Sequence, residues 1–162
     1  MTTTAFSGHL PLVGADEALQ LVQSGDRVYL HEAAMAPTEL IEALARRGPD
    51  VNNVETVSLH TEGPAPYTDP ALAGHIRHNA LFIGANVRAA VNDGRADFTP
   101  VFMSDIPRLI TTGALALDIA LLQVSPPDKH GYCRLGVSIC CGRAAADHAR
   151  TVIGLINPQV PQ

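Results

Sequence analysis

Tryptophan is absent from this chain of 162 residues, and aromatic side chains make up only 4% of it. Any core must therefore be assembled from Ala, Leu, Ile and Val. Lysine is nearly missing too: Lys129 is the only one, and the formal net charge is −5. A nucleic-acid binder carries a basic stripe, and none is visible. No apolar run approaches the roughly 20 residues that a membrane helix needs. The first residues, Met1–Phe6, lack the basic start and long apolar centre of a secretion signal. Cysteine is scarce and odd in number, with Cys133, Cys140 and Cys141 the full set and two of them adjacent. That pattern argues against a disulfide framework and for a reducing, cytoplasmic setting. There is no internal repeat, no low-complexity linker and no Gly-rich phosphate cradle.

What is present suits one folded domain. Hydrophobic residues make up 46% and charged residues 17%, a balance typical of a globular chain with a real core. Asp16 can cap a helix running to about Ser24, with Gly25 as its stop. A strand follows over Arg27–His31. Pro37 opens a helix whose apolar face is Leu40, Ile41, Leu44 and Ala45, and Arg46-Arg47 suit its negative end. Val54–Leu59 reads as a strand, Thr61–Pro70 as a loop, and Ala80–Ile83 as a short buried strand. Asn86–Asn92 reads as a helix, Phe98–Met103 as extended chain, and Ser104–Thr112 as a helix capped by its serine. Asp118–Val124 reads as a strand, Gly142–Arg150 as an Ala-rich helix, and Thr151–Ile156 as a last strand. Alternating β and α elements predict an α/β fold: a mostly parallel sheet flanked by helices.

The most informative segment is Ser125-Pro126-Pro127-Asp128-Lys129-His130-Gly131-Tyr132-Cys133-Arg134-Leu135-Gly136. It follows the apolar run Ile119–Val124, which two prolines then terminate. Polar, titratable and aromatic side chains crowd between prolines and glycines, where open α/β sheets place ligands. An ordinary Pro/Gly turn would have the same composition.

This segment resembles the S-P-P-D-x-H-G-[YF]-x-S-L-G signature of the acetyl-CoA hydrolase/transferase family. Phe82-Ile83-Gly84-Ala85-Asn86-Val87-Arg88 resembles that family's F-x-G-x-N-x-R run. Asn92-Asp93-Gly94-Arg95-Ala96-Asp97-Phe98-Thr99-Pro100 resembles its N-x-G-R-A-D-[YF]-x-P run. Gly63-Pro64-Ala65-Pro66-Tyr67, and Leu30-His31 followed by Ala36-Pro37, also have counterparts. Two positions depart from the pattern: Arg134 stands where the family usually has Ser, and Glu32 where a small residue is common.

The resemblance implies half of a CoA-transferase fold, related to the sugar-phosphate isomerase-like α/β folds. It implies that residues 1–162 form an N-terminal CoA-transferase domain whose C-terminal catalytic half is absent from this chain. It further implies ping-pong chemistry: a glutamate carboxylate attacks acyl-CoA, an anhydride forms, and a glutamyl-CoA thioester carries CoA to an acceptor acid. That glutamate lies in the C-terminal half, so no catalytic residue is expected here. None of Glu17, Glu32, Glu39, Glu42, Glu55 and Glu62 sits in the matching motif. The expected substrates are an acyl-CoA thioester and a short-chain carboxylate, with no bound cofactor. The expected partners are a C-terminal half or subunit and, as a further option, a second copy of this chain.

The candidate substrate-binding residues are His31, Asn86, Ser125, Pro126, Asp128, His130, Gly131, Tyr132 and Cys133. The imidazole of His31 could orient an acyl group or donate to an oxyanion; a strand-end histidine bonded to backbone is the plainer reading. Asn86 could serve a ligand or cap its helix. Lys129 reads mainly as a solvated tip residue. The spacing C-x6-C-C-x6-H is not that of a structural zinc site, so small buried thiols are expected rather than a metal. Two other readings stay open: a non-catalytic orphan or interaction domain that keeps the fold, and a stand-alone isomerase-like enzyme.

Overall fold

The computed structural model describes residues 11–161; Met1–Phe6, and the reading made on them, lie outside that range. Six strands form one sheet: β1 Arg27–Leu30, β2 Val54–Ser58, β3 Ile76–Ala80, β4 Asp97–Phe98, β5 Ile119–Val124 and β6 Thr151–Ile156. Their spatial order is β4-β3-β2-β1-β5-β6, and all five pairings are parallel. The expected parallel α/β architecture is therefore observed.

Strand alternation sorts the core into two layers. Val28 and Leu30 of β1 and Ile119 and Leu121 of β5 face one side. There they meet α1 (Ala15–Ala18) and α2 (Thr38–Arg47), whose Leu40, Ile41 and Leu44 are buried. Each such aliphatic contributes about 1.5–3 kcal/mol by leaving water. Tyr29, Ala120 and Leu122 point the other way, against α4 (Ile106–Thr111) and α5 (Gly142–His148). The remaining helix, α3, is Arg88–Asn92.

Several elements differ from expectation. The third strand lies at Ile76–Ala80, upstream of the apolar run at Ala80–Ile83. His78 and Asn79 interrupt its hydrophobic pattern, yet His78 is buried because Thr56 Oγ1 pairs with its Nδ1 at 3.0 Å. Asp16 does not cap α1; Gly14 holds that position, and Asp16 instead pairs with Arg46 at 2.8 Å. The helix expected from Asn86 begins at Arg88, and Asn86 makes no cap. Ser104 makes no cap either, lying in a 3-10 turn ahead of α4. The extended stretch from Phe98 pairs only through Asp97–Phe98.

Candidate functional site at the carboxyl edge of the sheet

Consecutive strands from β1 to β4 march one way across the sheet, while β5 and β6 lie on the other side of β1. The chain thus reverses direction between β1 and β5. A crevice opens at the carboxyl ends of two such strands, and open α/β sheets bind ligands there. His31 and Glu32 leave β1 at this point, and the Ser125–Cys133 segment leaves β5. Asn86 follows β3, so all three candidate groups reach the same edge. They do not form one cluster, because β2 separates β3 from β1.

His31 is fully buried, at 0% exposure. The Gln123 N–H donates to its Nδ1 at 3.3 Å, and its Nε2 lies 2.8 Å from the Ser138 carbonyl. A backbone N–H can only donate, so Nδ1 is the acceptor and Nε2–H donates to Ser138. Burial lowers the imidazole pKa below its ordinary value, against the opposing pull of neighbouring Glu32; this favours the neutral ring that such bonding requires. Gly142, at the start of α5, packs against the ring: a Cβ there would lie 2.8 Å from His31 Nε2.

Asn86 is committed to the loop after β2. Its Nδ2 donates to the Thr61 carbonyl at 2.9 Å and the Gly63 carbonyl at 3.1 Å. Gly84 is needed beside it, since a Cβ at that position would sit 2.9 Å from Asn86 Oδ1. Thr61 Oγ1 is also 2.8 Å from the Tyr67 hydroxyl, and the Tyr67 ring lies 4.7 Å from that of His78. A polar chain therefore runs from the edge into the core.

The signature segment is closed twice. At its neck, buried Ser125 donates its N–H to the Arg134 carbonyl, and its Oγ accepts the Arg134 N–H, both at 3.0 Å. The Ser125 hydroxyl also donates to the Pro126 carbonyl at 2.9 Å. At its tip, Asp128 Oδ1 accepts the N–H groups of His130 at 2.8 Å and Tyr132 at 3.0 Å. These bonds hold the Asp128 carboxyl below its ordinary pKa. Gly131 takes a φ of +82°, a left-handed conformation that glycine adopts without strain. His130, Gly131, Tyr132 and Cys133 are exposed, as is Lys129.

Two of the three thiols correct the expectation of buried cysteines. Cys133 and Cys140 are exposed and only Cys141 is buried. Cys140 sits in a turn with a φ of +26° rather than on a strand, which is why neighbours along the chain differ so much in access. Burial, then Glu32, pushes the Cys141 thiol up to about 12. Among the described residues, no group of three or more His, Cys, Asp or Glu side chains is arranged to hold a metal ion. A cleft at the opposite edge, near His75, Arg77 and Arg95, has its arginines already paired with Asp97 and Asp93.

Residues 10–162 match the family model for the acetyl-CoA hydrolase/transferase N-terminal domain. The chain belongs to that family. It is 40% identical, over 148 residues and 90% of its own length, to a succinyl-CoA:acetate/propanoyl-CoA:succinate CoA transferase from Fasciola hepatica. It is also 40% identical, over 151 residues and 93% of its length, to a 4-hydroxybutyrate coenzyme A transferase from Clostridium kluyveri. It spans only 30% and 35% of those two proteins. Among solved structures, RipA from Yersinia pestis superposes with a TM-score of 0.82 at 25% identity, covering 92% of this chain and 37% of RipA. A 4-hydroxybutyrate CoA-transferase from Porphyromonas gingivalis does so at 0.75 and 29%, covering 92% of this chain and 34% of its own.

Sequence reasoning underrated Glu32. It is buried at 0% exposure, where a charged residue after a strand end would ordinarily face water. Local sequence pattern carries no signal of that burial.

Proposed function

We propose that this chain supplies the N-terminal wall of a CoA-transferase or acyl-CoA hydrolase that moves CoA between short-chain carboxylic acids through a glutamyl-CoA thioester, and that it is inactive alone. The nucleophilic glutamate comes from a C-terminal part of the kind that completes its longer relatives. The observation that carries this reading is the placement of the Ser125–Cys133 signature at the β1/β5 reversal, where parallel sheets receive ligands.

Roles divide by access. His130, Gly131, Tyr132 and Cys133 are free to meet the acyl-CoA, while His31 shapes the wall, since both of its nitrogens already hold backbone groups. Exposed apolar side chains include Phe102 at 78%, in the chain after β4, and Val137 at 69%, in the chain after β5. A second protein part, on this reading, covers such side chains. The setting we infer is cytoplasmic, because two cysteines are exposed as free thiols.

The test is acyl transfer from acetyl-CoA to butyrate. The chain alone is expected to show no turnover. Fused to the C-terminal two-thirds of the Clostridium relative, it is expected to regain turnover. Robust turnover by the chain alone would overturn the missing-nucleophile reading. A folded but inactive fusion would favour the orphan or interaction domain instead.

A further inference from the structure

Glu32 is a fully buried acidic side chain at the carboxyl end of β1. Its carboxyl is held from several sides, the Cys140 thiol among them. Its Oε1 accepts the Cys141 N–H at 3.0 Å, and its Oε2 accepts the Tyr29 hydroxyl. Tyr29 is equally buried, and burial together with Glu32 raises its pKa well above the ordinary value, so the phenol keeps its proton and donates. The neighbouring residue makes a parallel attachment, with His31 Nε2 bonded to the Ser138 carbonyl. The chain returning from the 125–134 tip is thus fastened to β1 at two points before α5 begins.

We propose that Glu32 is a positioning residue, whose side chain bridges the Tyr29 hydroxyl and the Cys141 amide and pins the returning 138–142 turn onto β1, fixing the loop that carries the candidate site. Its consequence for the acyl wall rests on the CoA-transfer reading; the pinning itself does not. A buried acceptor with several partners is costly to disturb, because each buried partner left unpaired loses its hydrogen bond without regaining water. A small residue at position 32 could not reach either partner.

Cys141 reports on the bridge. Its thiol is buried, its own amide is the group Glu32 holds, and it reacts with an aromatic disulfide reagent only when the turn opens. The experiment uses the full chain with Cys133 and Cys140 changed to Ser, leaving one thiol; the Cys140 thiol meets the Glu32 carboxyl, a serine hydroxyl keeps a donor there, and every variant is compared within this background. With Glu32 intact, Cys141 is expected to react slowly. Glu32→Ala is expected to speed the reaction by about tenfold or more, beyond the rate of global unfolding, as expected for losing a buried hydrogen-bonded acceptor. Glu32→Gln keeps an oxygen for the Cys141 amide and a polar group for Tyr29, and is expected to stay within about threefold of the parent. Tyr29→Phe removes one partner while preserving shape, and is expected to accelerate Cys141 as well; it decides the matter should Glu32→Ala not fold. Unchanged Cys141 rates in folded Glu32→Ala and Tyr29→Phe proteins would overturn the proposal, as would a Glu32→Gln protein as fast as Glu32→Ala. No CoA substrate is involved, so failure here leaves the proposed function standing, and the reverse also holds.

Discussion

The 125–141 loop is built differently at its ends and at its tip. Its ends are anchored in the interior: Ser125 closes the neck, His31 holds Ser138, and Glu32 holds Cys141. Its tip is bonded chiefly to itself, through Asp128 and the N–H groups of His130 and Tyr132. The residue types are similar in both regions, histidines, carboxyls and thiols, but their circumstances are opposed. A histidine with both nitrogens bonded to backbone cannot take a ligand without giving up one of those bonds. An exposed histidine can. Titratable residues near a candidate site therefore divide into scaffold and contact groups, and burial with partner satisfaction is the criterion that separates them.

The most direct way to break this comparison is to truncate one histidine from each region. His31→Ala leaves the Gln123 N–H and the Ser138 carbonyl unpaired and opens a cavity at a fully buried position. The expected loss is about 2–4 kcal/mol of unfolding free energy. His130→Ala removes an exposed ring and is expected to fall within about 0.5 kcal/mol of the parent. Urea denaturation measures both. Equal effects would abolish the distinction between ends and tip.

Acid should sharpen the comparison. His78, in the buried polar chain beneath the edge, has a pKa lowered from 6.5 to about 4, chiefly by burial. Its unfolded form binds a proton more readily than its folded form, so stability is complete above the unfolded value and falls as pH drops through the interval down to the folded value. The expected loss is about 2 kcal/mol between about pH 7.5 and pH 5, and about 3 by about pH 4. His31 shifts in the same direction and adds to the loss. Asp128 titrates in a lower window: the tip N–H groups hold its carboxyl below its ordinary value, so the tip turn keeps its acceptor over this range while the interior weakens, and loses it only in stronger acid. Urea midpoints across this range should slope upward with pH, and His78→Gln should flatten the slope. A flat profile in the parent would show that His78 is not a buried neutral group.

Much of this organisation was legible in the sequence. Ile119–Val124 and Thr151–Ile156 are apolar runs with clear stops, and both are strands. Once the strands are parallel, the loops that follow them share one edge, which is why His31, Asn86 and Ser125 all reach it, with Asn86 set apart beyond β2. β3 was misplaced because its buried polar residues carry no hydrophobic signal; His78 is tolerated there only through Thr56, a partner on another strand. The division between ends and tip was not legible at all. It depends on pairs such as His31 with Ser138, 107 residues apart, and Glu32 with Cys141, 109 apart. Local pattern carries no record of contacts at that separation, so a glutamate after a strand reads as a solvated one.

The smallest expected effect lies at the tip, and it tests whether that turn is organised by a single side chain. Asp128 Oδ1 is the acceptor for two tip N–H groups, an arrangement in which an Asp side chain stands in for a backbone turn. Asp128→Ala should leave the thermal midpoint indistinguishable from the parent, because the groups it frees are exposed and water can satisfy them. The local turn should nevertheless loosen. Lys129 is the chain's only lysine, so a lysine-specific protease has one site in the whole molecule, and it lies in this turn. Cleavage of a folded protein requires local opening of the segment that enters the protease. Asp128→Ala is therefore expected to be cut several-fold faster than the parent, while Glu32→Gln, which preserves the anchored end, is cut at the parent rate. Were Asp128→Ala cut no faster, the tip would be held by something other than its own aspartate. The contrast between an anchored end and a self-closed tip would then have to be redrawn around that other restraint.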